Sequence, residues 1–321
     1  MKPPNGKPPT VLSLALPDNP LERAGALLAA SAREEDPQRC EALAELIGEL
    51  LERHNTPEIA LAQAKALVNV TARESDARKR EVVAGRIGEL LKRYNTPEIA
   101  LEQADALLNT AIDEPDALWR EAMADRIGEL LKHHNTPEIA LVQAKALSNA
   151  TVGESGEPDP RKREVLADRI GELLNRHNTP EIALEQAKAL YHAIIGEPDT
   201  RKCEALADRI SELLKRFNTP EVALEQARLL YHTTSRVRDG RRCEALADQI
   251  GELLKWNTTP EIALLQAKAL RNAIAHTSLL SPRRRYSLAG RVISAERVHQ
   301  EMCRQAASRT PGEAAPPEPR Q

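Results

Sequence analysis

The chain is nearly devoid of aromatic side chains. Phe, Tyr and Trp together make up 2% of its 321 residues, with a single Phe. A core without rings has to be filled by Leu, Ile and Ala, and a hydrophobic content of 41% supplies enough of them. Such side chains suit closely packed helices, and Ala and Leu are strong helix formers. Long apolar runs are missing too: none reaches the roughly 18 residues that a membrane-spanning helix needs. The apolar patch from Val11 to Leu16 is brief and bounded by prolines, a poor match to a secretory signal. The expectation is a soluble cytoplasmic protein without a membrane partner, secretion through a non-cleaved N-terminal signal being left open. Charge of one sign is not in excess. Charged residues reach 29%, but the net is −3 with both signs interspersed, so the whole chain is neither a polyanion nor a nucleic-acid-type polycation.

Cysteine is scarce and scattered. Cys40, Cys203, Cys243 and Cys303 include no pair at metal-ligand spacing. The first three hold the same place in different copies of a repeat. Equivalent helices in neighbouring copies should lie about 10 Å apart, whereas a disulfide wants Cα atoms within about 7 Å, so free thiols are expected. Catalytic signatures are missing as well: no glycine-rich phosphate loop, no Gly-x-Ser-x-Gly, no His-Glu-x-x-His, no cluster of Cys and His. His133 and His134 are adjacent and do not converge on a helix. Carboxylates are plentiful, but they recur symmetrically, while a catalytic site needs an asymmetric constellation. The chain is read as non-enzymatic, with no catalytic residue, metal ligand or cofactor.

What the sequence does have is a ruler. Asn-Thr-Pro-Glu stands at 55–58, 95–98, 135–138, 178–181 and 218–221, with Thr-Thr-Pro-Glu at 258–261. The prolines Pro57, Pro97, Pro137, Pro180, Pro220 and Pro260 are spaced 40, 40, 43, 40 and 40 residues apart. A fixed period of this size marks a stack of small units rather than one globular core. Each unit carries two helical stripes. Cys203, Leu206, Ile210, Leu213, Leu214 and Phe217 form one; Ala183, Leu184, Ala187, Leu190, Tyr191 and Ile194 form a broader one in the second helix.

The turn between the helices can be written in two ways. With Asn218 as N-cap, Glu221 closes a capping box and Phe217 staples onto Val222; with Thr219 as N-cap, Pro220 takes the first helical position. Both make an antiparallel helix hairpin. Asp36, Asp76, Asp116, Asp159, Asp199 and Asp239 are expected N-caps of the first helices. The three extra residues of the third copy fall in the connection before that cap, around 155–158, and leave the helices intact. Gly48, Gly88, Gly128, Gly171 and Gly251, with Ser211 as the sixth member, lie mid-helix, where glycine costs about 1 kcal/mol relative to Ala. Close approach of a neighbouring helix is the expected compensation, with Ala tolerated and Leu not. Gln63, Gln103, Gln143, Gln186, Gln226 and Gln266 form a second ladder, read as a hydrogen bond between units or a hook for an extended peptide.

These features specify an all-α fold, a right-handed α-solenoid of stacked antiparallel helix hairpins. The expected layout is a disordered, proline-rich N-terminus over 1–18, a repeat array over 19–280, a basic capping helix over 281–308 and a disordered tail over 309–321. Ala167–Leu174 followed by Asn178–Leu190 resembles a tetratricopeptide repeat. The matching residues are the Ile170-Gly171 pair, the small Ala183 early in the second helix and the Ala189-Leu190 pair near its end. The resemblance spans about residues 19–280 and implies about six to seven such repeats. It departs from the family in its period of 40, against about 34, and in Leu or Ala at the aromatic consensus positions. The related RNA-binding pentatricopeptide and octotricopeptide types stay open.

The resemblance implies that first-helix side chains line a concave groove. Its candidate partner-binding residues are Arg126, Lys132, Arg169, Arg209, Glu212, Lys215, Arg216 and Trp256. An acidic row through Asp125, Asp168, Asp208 and Asp248 runs beside them. A Glu stands where the family's carboxylate-clamping Asn belongs, which disfavours capture of a C-terminal carboxylate. On the second helices Tyr191, His192, Tyr231 and His232 are further candidates, since Tyr is favoured at interface hot spots. Past Ala275 the ruler stops, and Arg283, Arg284 and Arg285 open a basic stretch. That stretch is read either as the face of a cap or as a contact for an acidic partner. Any single one of these charges also fits an ordinary solvated helix pair. The functional expectation is a non-catalytic interaction scaffold holding another protein or peptide, with oligomeric state open. The alternatives are an RNA-binding helical-repeat protein, opposed by the negative net charge, and a purely architectural, self-associating array.

Overall fold

The computed structural model describes residues 17–112, 114–152, 159–195, 197, 199–237, 239–276 and 282–308. The residues before 17, the insertion around 155–158 and the tail over 309–321 lie outside the described residues. Regular structure among the described residues is entirely helical. The helices are α1 (Pro20–Arg33), α2 (Pro37–His54), α3 (Pro57–Arg73), α4 (Ala77–Tyr94), α5 (Pro97–Ala111), α6 (Ala117–His133), α7 (Pro137–Ala150), α8 (Pro160–His177), α9 (Pro180–Ile194), α10 (Thr200–Phe217), α11 (Pro220–Arg236), α12 (Gly240–Trp256), α13 (Pro260–Ala275) and α14 (Pro282–Ser308). They fall into two compact units, one ending at Asn149 and the other beginning at Ala150.

Both units are built from the expected hairpin. First helices are α2, α4 and α6 in one unit and α8, α10 and α12 in the other; each is followed by its second helix. Second helices pack on one another, α1 on α3 and α3 on α5 in the first unit, α9 on α11 and α11 on α13 in the second. First helices pack on the second helices that flank them, as α4 does on α3 and α5 and α10 does on α9 and α11. The sequence explains the arrangement. Second helices bury Ala60, Ala64 and Ala66 in α3, Ala100, Ala104 and Ala106 in α5, and Ala183, Ala187 and Ala189 in α9, so their backbones can approach closely. First helices supply Ile47, Ile87, Ile127, Ile170, Ile210 and Ile250, all fully buried. The largest fully buried side chains are Ile and Leu, the ring-free core that the composition demands.

The Asn-Thr-Pro turn resolves into two caps. Asn55, Asn95, Asn178 and Asn218 are C-caps in the left-handed region, with φ of 49°, 47°, 50° and 33°. Asn is among the few non-glycine residues that adopt this conformation readily. Thr56, Thr96, Thr179, Thr219 and Thr259 are the N-caps, each hydroxyl accepting the backbone N–H three residues on, with proline next. The capping box and staple expected with Asn218 as N-cap are therefore not formed, because Asn218 closes the preceding helix and Glu221 falls one position short. The Asn side chains also reach the next hairpin: Asn55 Oδ1 accepts from Tyr94 Oη at 2.8 Å and from Arg93, and Asn178 Oδ1 accepts from Arg216. The aspartates Asp36, Asp76, Asp116, Asp159, Asp199 and Asp239 cap the first helices as expected.

The glycine and glutamine ladders are a single device. A Cβ at Gly48, Gly88, Gly128, Gly171 or Gly251 would lie 2.3–2.7 Å from the Nε2 of Gln63, Gln103, Gln143, Gln186 or Gln266 respectively. In the fifth copy Ser211 replaces glycine, and its Oγ accepts from Gln226 Nε2 at 2.7 Å. The glycine is thus faced by a side-chain amide and not by a neighbouring backbone, so an Ala there would require only the flexible end of the glutamine to move. The cysteines Cys40, Cys203 and Cys243 are buried free thiols, and Cys303 is an exposed one. Arg80, Arg120 and Arg163 hold the same place in the other copies and are also buried. Arg80 Nη1 donates to Asn109 O at 2.7 Å and Arg163 Nη1 to His192 O at 2.9 Å, so each satisfies a carbonyl in the last turn of its own second helix.

In an otherwise unaltered chain Gly171→Ala should fail to deliver the roughly 1 kcal/mol of helix propensity it adds. In a Gln186→Ala background the same change should stabilise by about that amount. Urea unfolding of the four variants measures the coupling, and equal effects in the two backgrounds would remove the contact from the explanation. At the turn, Asn178→Ala should cost about 1 kcal/mol or more, because Ala resists the left-handed region. Asn178→Gly should lose less, and the reverse ranking would contradict the backbone requirement, because both variants lack the bond to Arg216.

Candidate functional site

The first-helix charges have partners within the chain. Lys132 pairs with Glu129, Lys215 with Glu212 and Lys255 with Glu252, each at 2.6 Å across i, i+3, and Lys92 with Glu89 at 2.7 Å. Arg126 reaches back to Glu81 on the preceding first helix at 2.8 Å, Arg86 does the same to Glu41, and Arg209 pairs with Asp168. Arg216 donates to Asn178. Arg169 holds the equivalent of Arg126 and Arg209 on α8. Trp256 stands where Arg216 stands one copy earlier and is 79% exposed. The local pairs are well exposed and weak; the longer ones join neighbouring first helices.

A different face carries desolvated charge. Among the places where second helices vary from copy to copy, three are spaced three residues apart and therefore lie on one side of the helix. Positions 62, 102, 142, 185, 225 and 265 read Ala, Glu, Val, Glu, Glu, Leu; the next set, from 65, reads Lys, Asp, Lys, Lys, Arg, Lys; the third, from 68, reads Val, Leu, Ser, Tyr, Tyr, Arg. In the second unit Glu185 and Glu225 are only 7% and 5% exposed, which is rare for carboxylates. Glu185 pairs with Lys188 at 2.9 Å and Glu225 with Arg228 at 2.7 Å. The acids form a floor and the cations a rim. Burial pushes the Glu225 carboxyl up, against the pull of Arg228 and Lys188. One turn further, Tyr191 meets the His232 ring edge-on at 6.3 Å, and Lys268 lies 6.0 Å over the Tyr231 ring. Burial, and then the charge of Glu225, raises the Tyr191 hydroxyl. In the first unit burial and the neighbouring Asp105 push Glu102 up to about 7, with Lys65 opposing.

His192 belongs to the frame as much as to this face. Asn69 donates to Ser31 Oγ at 3.3 Å, Asn109 to Thr71 Oγ1 at 3.0 Å and Asn272 to Thr234 Oγ1 at 2.9 Å, each tying a second helix to the one before it. His192 holds the Asn position and lies 2.8 Å from Thr151 Oγ1 through Nδ1. Burial, reinforced by Arg163, Lys188 and Arg228, lowers its pKa to about 4, so the ring is neutral near pH 7. At the far end, α14 packs on α13 with Leu288, Val292 and Ala295 buried. Arg284 turns to Glu244 at 2.9 Å, while Arg283 and Arg285 lie on its exposed side.

The resemblance directed attention to first helices, and Glu102, Asp105, Glu185, Lys188, Glu225, Arg228 and Lys268 were not singled out. The available signal was copy-to-copy change on a helix whose first half otherwise hardly varies. Among the described residues no group of three or more His, Cys, Asp or Glu could hold a metal ion, and no helix is long and apolar enough to cross a membrane.

Two pH effects follow. His192 has a folded pKa below its ordinary 6.5, so its contribution is complete above that value and lost as pH falls towards 4. His192→Asn should remove this acid-side loss while leaving stability near pH 7 almost unchanged. Glu102 has a folded pKa above its ordinary 4.5, so folding is penalised increasingly as pH rises from there to about 7. Glu102→Gln should therefore stabilise above pH 7 and be nearly neutral at pH 4. Denaturant midpoints across this range test both, and parallel profiles for variant and parent would contradict the assignment.

No protein-family model matches the sequence. No curated protein matches it either. Among solved structures, the "DHF58 filament" is 13% identical, covers 90% of this chain and 99% of its own, and has a TM-score of 0.16. A chain from "Computational Design of Self-Assembling Cyclic Protein Homooligomers" is 15% identical, covers 91% and 95%, and has a TM-score of 0.15. Similarity at that level fixes neither fold nor function, so the description of the molecule rests on its own hairpins.

Proposed function

We propose that the chain is a non-catalytic interaction scaffold that holds an extended peptide or a partner helix against its second-helix face. The observation carrying this reading is the set of half-buried, copy-specific charges and tyrosines mounted on a constant frame. A frame without a binding role has no need to bury Glu185 and Glu225, because removing carboxylates from water is costly even when they are paired. Pairs in that state discriminate among partners, since a mismatched charge beside them is penalised more strongly than it would be in water. Tyr191 and Tyr231 add contact area of the kind favoured at hot spots. The tetratricopeptide-like description belongs to this proposal. The antiparallel hairpin with small residues in its second helix supports it, while the 40-residue period and the close contact of second helices set the array apart. Buried free thiols suit a reducing compartment. RNA binding is the weaker reading, because the exposed lysines are largely paired with glutamates and the net charge is −3.

Affinity capture from native lysate, with and without nuclease, tests the reading when the wild type is compared with Tyr191→Ala/Tyr231→Ala and with Glu225→Gln. The expected result is a protein that survives nuclease and is recovered at least about tenfold less by the variants. Recovery of nucleic acid alone, or of the same proteins by all three baits, would overturn it.

A further inference from the structure

First helices of the second unit open on cations. The second and third residues are Arg161 and Lys162 in α8, Arg201 and Lys202 in α10, and Arg241 and Arg242 in α12. α14 shares this register, with Leu288 and Val292 standing where Leu246 and Ile250 stand in α12, and its second and third residues are Arg283 and Arg284. The first turns of these four helices hold no acid, whereas those of α9, α11 and α13 each hold a Glu. A cation there faces the positive end of the helix dipole, which disfavours it. In earlier copies an acid two residues before the cap offsets the cost. Lys202 lies 3.7 Å from Glu197, Lys79 lies 3.7 Å from Glu74 and Arg39 lies 3.9 Å from Glu34.

At α12 and α14 the cations stay and the acids go. The place of Glu197 is taken by Val237 before α12, a buried residue, and by Leu279 in the sequence before α14. A second acid is lost on α14. Tyr286 stands where α12 has Glu244 and α8 has Glu164, and it is 81% exposed. The remaining acids are already engaged. Arg284 and Arg291 share the one carboxylate of Glu244, at 2.9 and 3.1 Å, which also sets the starts of α12 and α14 side by side. Asp239 caps α12, accepting the backbone N–H of Arg241 at 2.9 Å. The side chains of Arg241 and Arg283 are exposed and have no carboxylate partner among the described residues. Further along α12 the charges are matched, Asp248 with Arg291 and Glu252 with Lys255. The excess is therefore confined to the two first turns, a patch too short for a long polyanion on a chain whose net charge is −3. Guanidinium groups take carboxylates in paired hydrogen bonds, and an exposed tyrosine among them adds contact area of the kind favoured at interfaces.

We propose that the joint edge of α12 and α14 is a docking site for a short acidic stretch of a partner protein, whose carboxylates pair with Arg241, Arg283 and Arg284 beside Tyr286. This edge is separate from the second-helix face and does not depend on the reading of that face. Fluorescence anisotropy of the full chain with a labelled decapeptide of Asp and Glu tests it, a single-stranded RNA decamer serving for comparison. The acidic peptide should bind, and more weakly as salt is added. Arg241→Glu/Arg283→Glu should weaken it at least about tenfold. The same variant should keep or raise the urea midpoint, because acids suit the start of a helix. Arg241→Gln/Arg283→Gln, which removes charge without reversing it, should also weaken binding and provides a second reading of the site. Tyr191→Ala/Tyr231→Ala should bind the acidic peptide as the wild type does. A wild type that does not bind the peptide overturns the proposal, as do arginine variants that bind it equally well. Loss of the peptide in Tyr191→Ala/Tyr231→Ala would place it on the second-helix face, and tighter binding of the RNA would change the class of partner; either result also overturns it.

Discussion

A glutamine amide laid on a glycine sets the distance between the two helices of a hairpin. Gln186 over Gly171 and Gln63 over Gly48 occupy the space that a Cβ would take, so a side chain there requires the end of the amide to move aside. Where the sequence departs from glycine, Ser211 keeps the spacing by accepting a hydrogen bond from the same amide. With the hairpin fixed, the rest of each unit follows from how hairpins meet. Second helices present alanine and touch. First helices present Arg and Glu or Asp and are bridged at arm's length by pairs such as Arg126 with Glu81. A short contact on one side and a long one on the other give every hairpin the same relation to its neighbour within a unit.

Much of this was legible because the signals are local. The period, the two stripes per copy, the aspartate caps and the short turn depend on residues within a few positions of one another, and elementary helix chemistry reads them. The turn itself was ambiguous for a physical reason. Asn218 and Thr219 are adjacent and both are good N-caps, so local propensity ranks them equally. What separates them is the left-handed conformation that ends the preceding helix, for which Asn is suited and Thr is not. The pairing of glycine with glutamine was harder because its partners lie fifteen residues apart, as Gly171 and Gln186 do. The buried Arg80 and Arg163 were invisible for the opposite reason: arginine is normally an exposed residue, and the helix-end carbonyls they satisfy account for their burial.

The same contrast separates frame from face. On the first helices, Lys215 with Glu212 and Lys132 with Glu129 lie largely in water, where a pair of this kind contributes little. Screening also makes such pairs indifferent to what approaches. On the second helices, Glu185 and Glu225 have been taken out of water, and removing one partner of such a pair costs about 3–5 kcal/mol when burial is complete. The two sets of charges look alike in sequence, since both repeat at helical spacing with opposite signs three residues apart. Burial distinguishes them, and burial here follows from which helices pack side by side.

His192 shows how closely face and frame are joined. In the copies with Asn69, Asn109 and Asn272 the position does one thing, donating to the hydroxyl of the preceding second helix. An imidazole in the same place keeps that contact through Nδ1 to Thr151. Its wider ring also stands beside Tyr191, with centroids 5.7 Å apart, so a residue of the ladder becomes a wall of the variable face. Asn could not reach both. The ring is neutral near pH 7 because burial first, and then Arg163, Lys188 and Arg228, oppose a positive charge on it. Two of those cations, Lys188 and Arg228, also rim the face. In this copy, the chemistry available to a partner cannot change without altering the contact of His192 with Thr151.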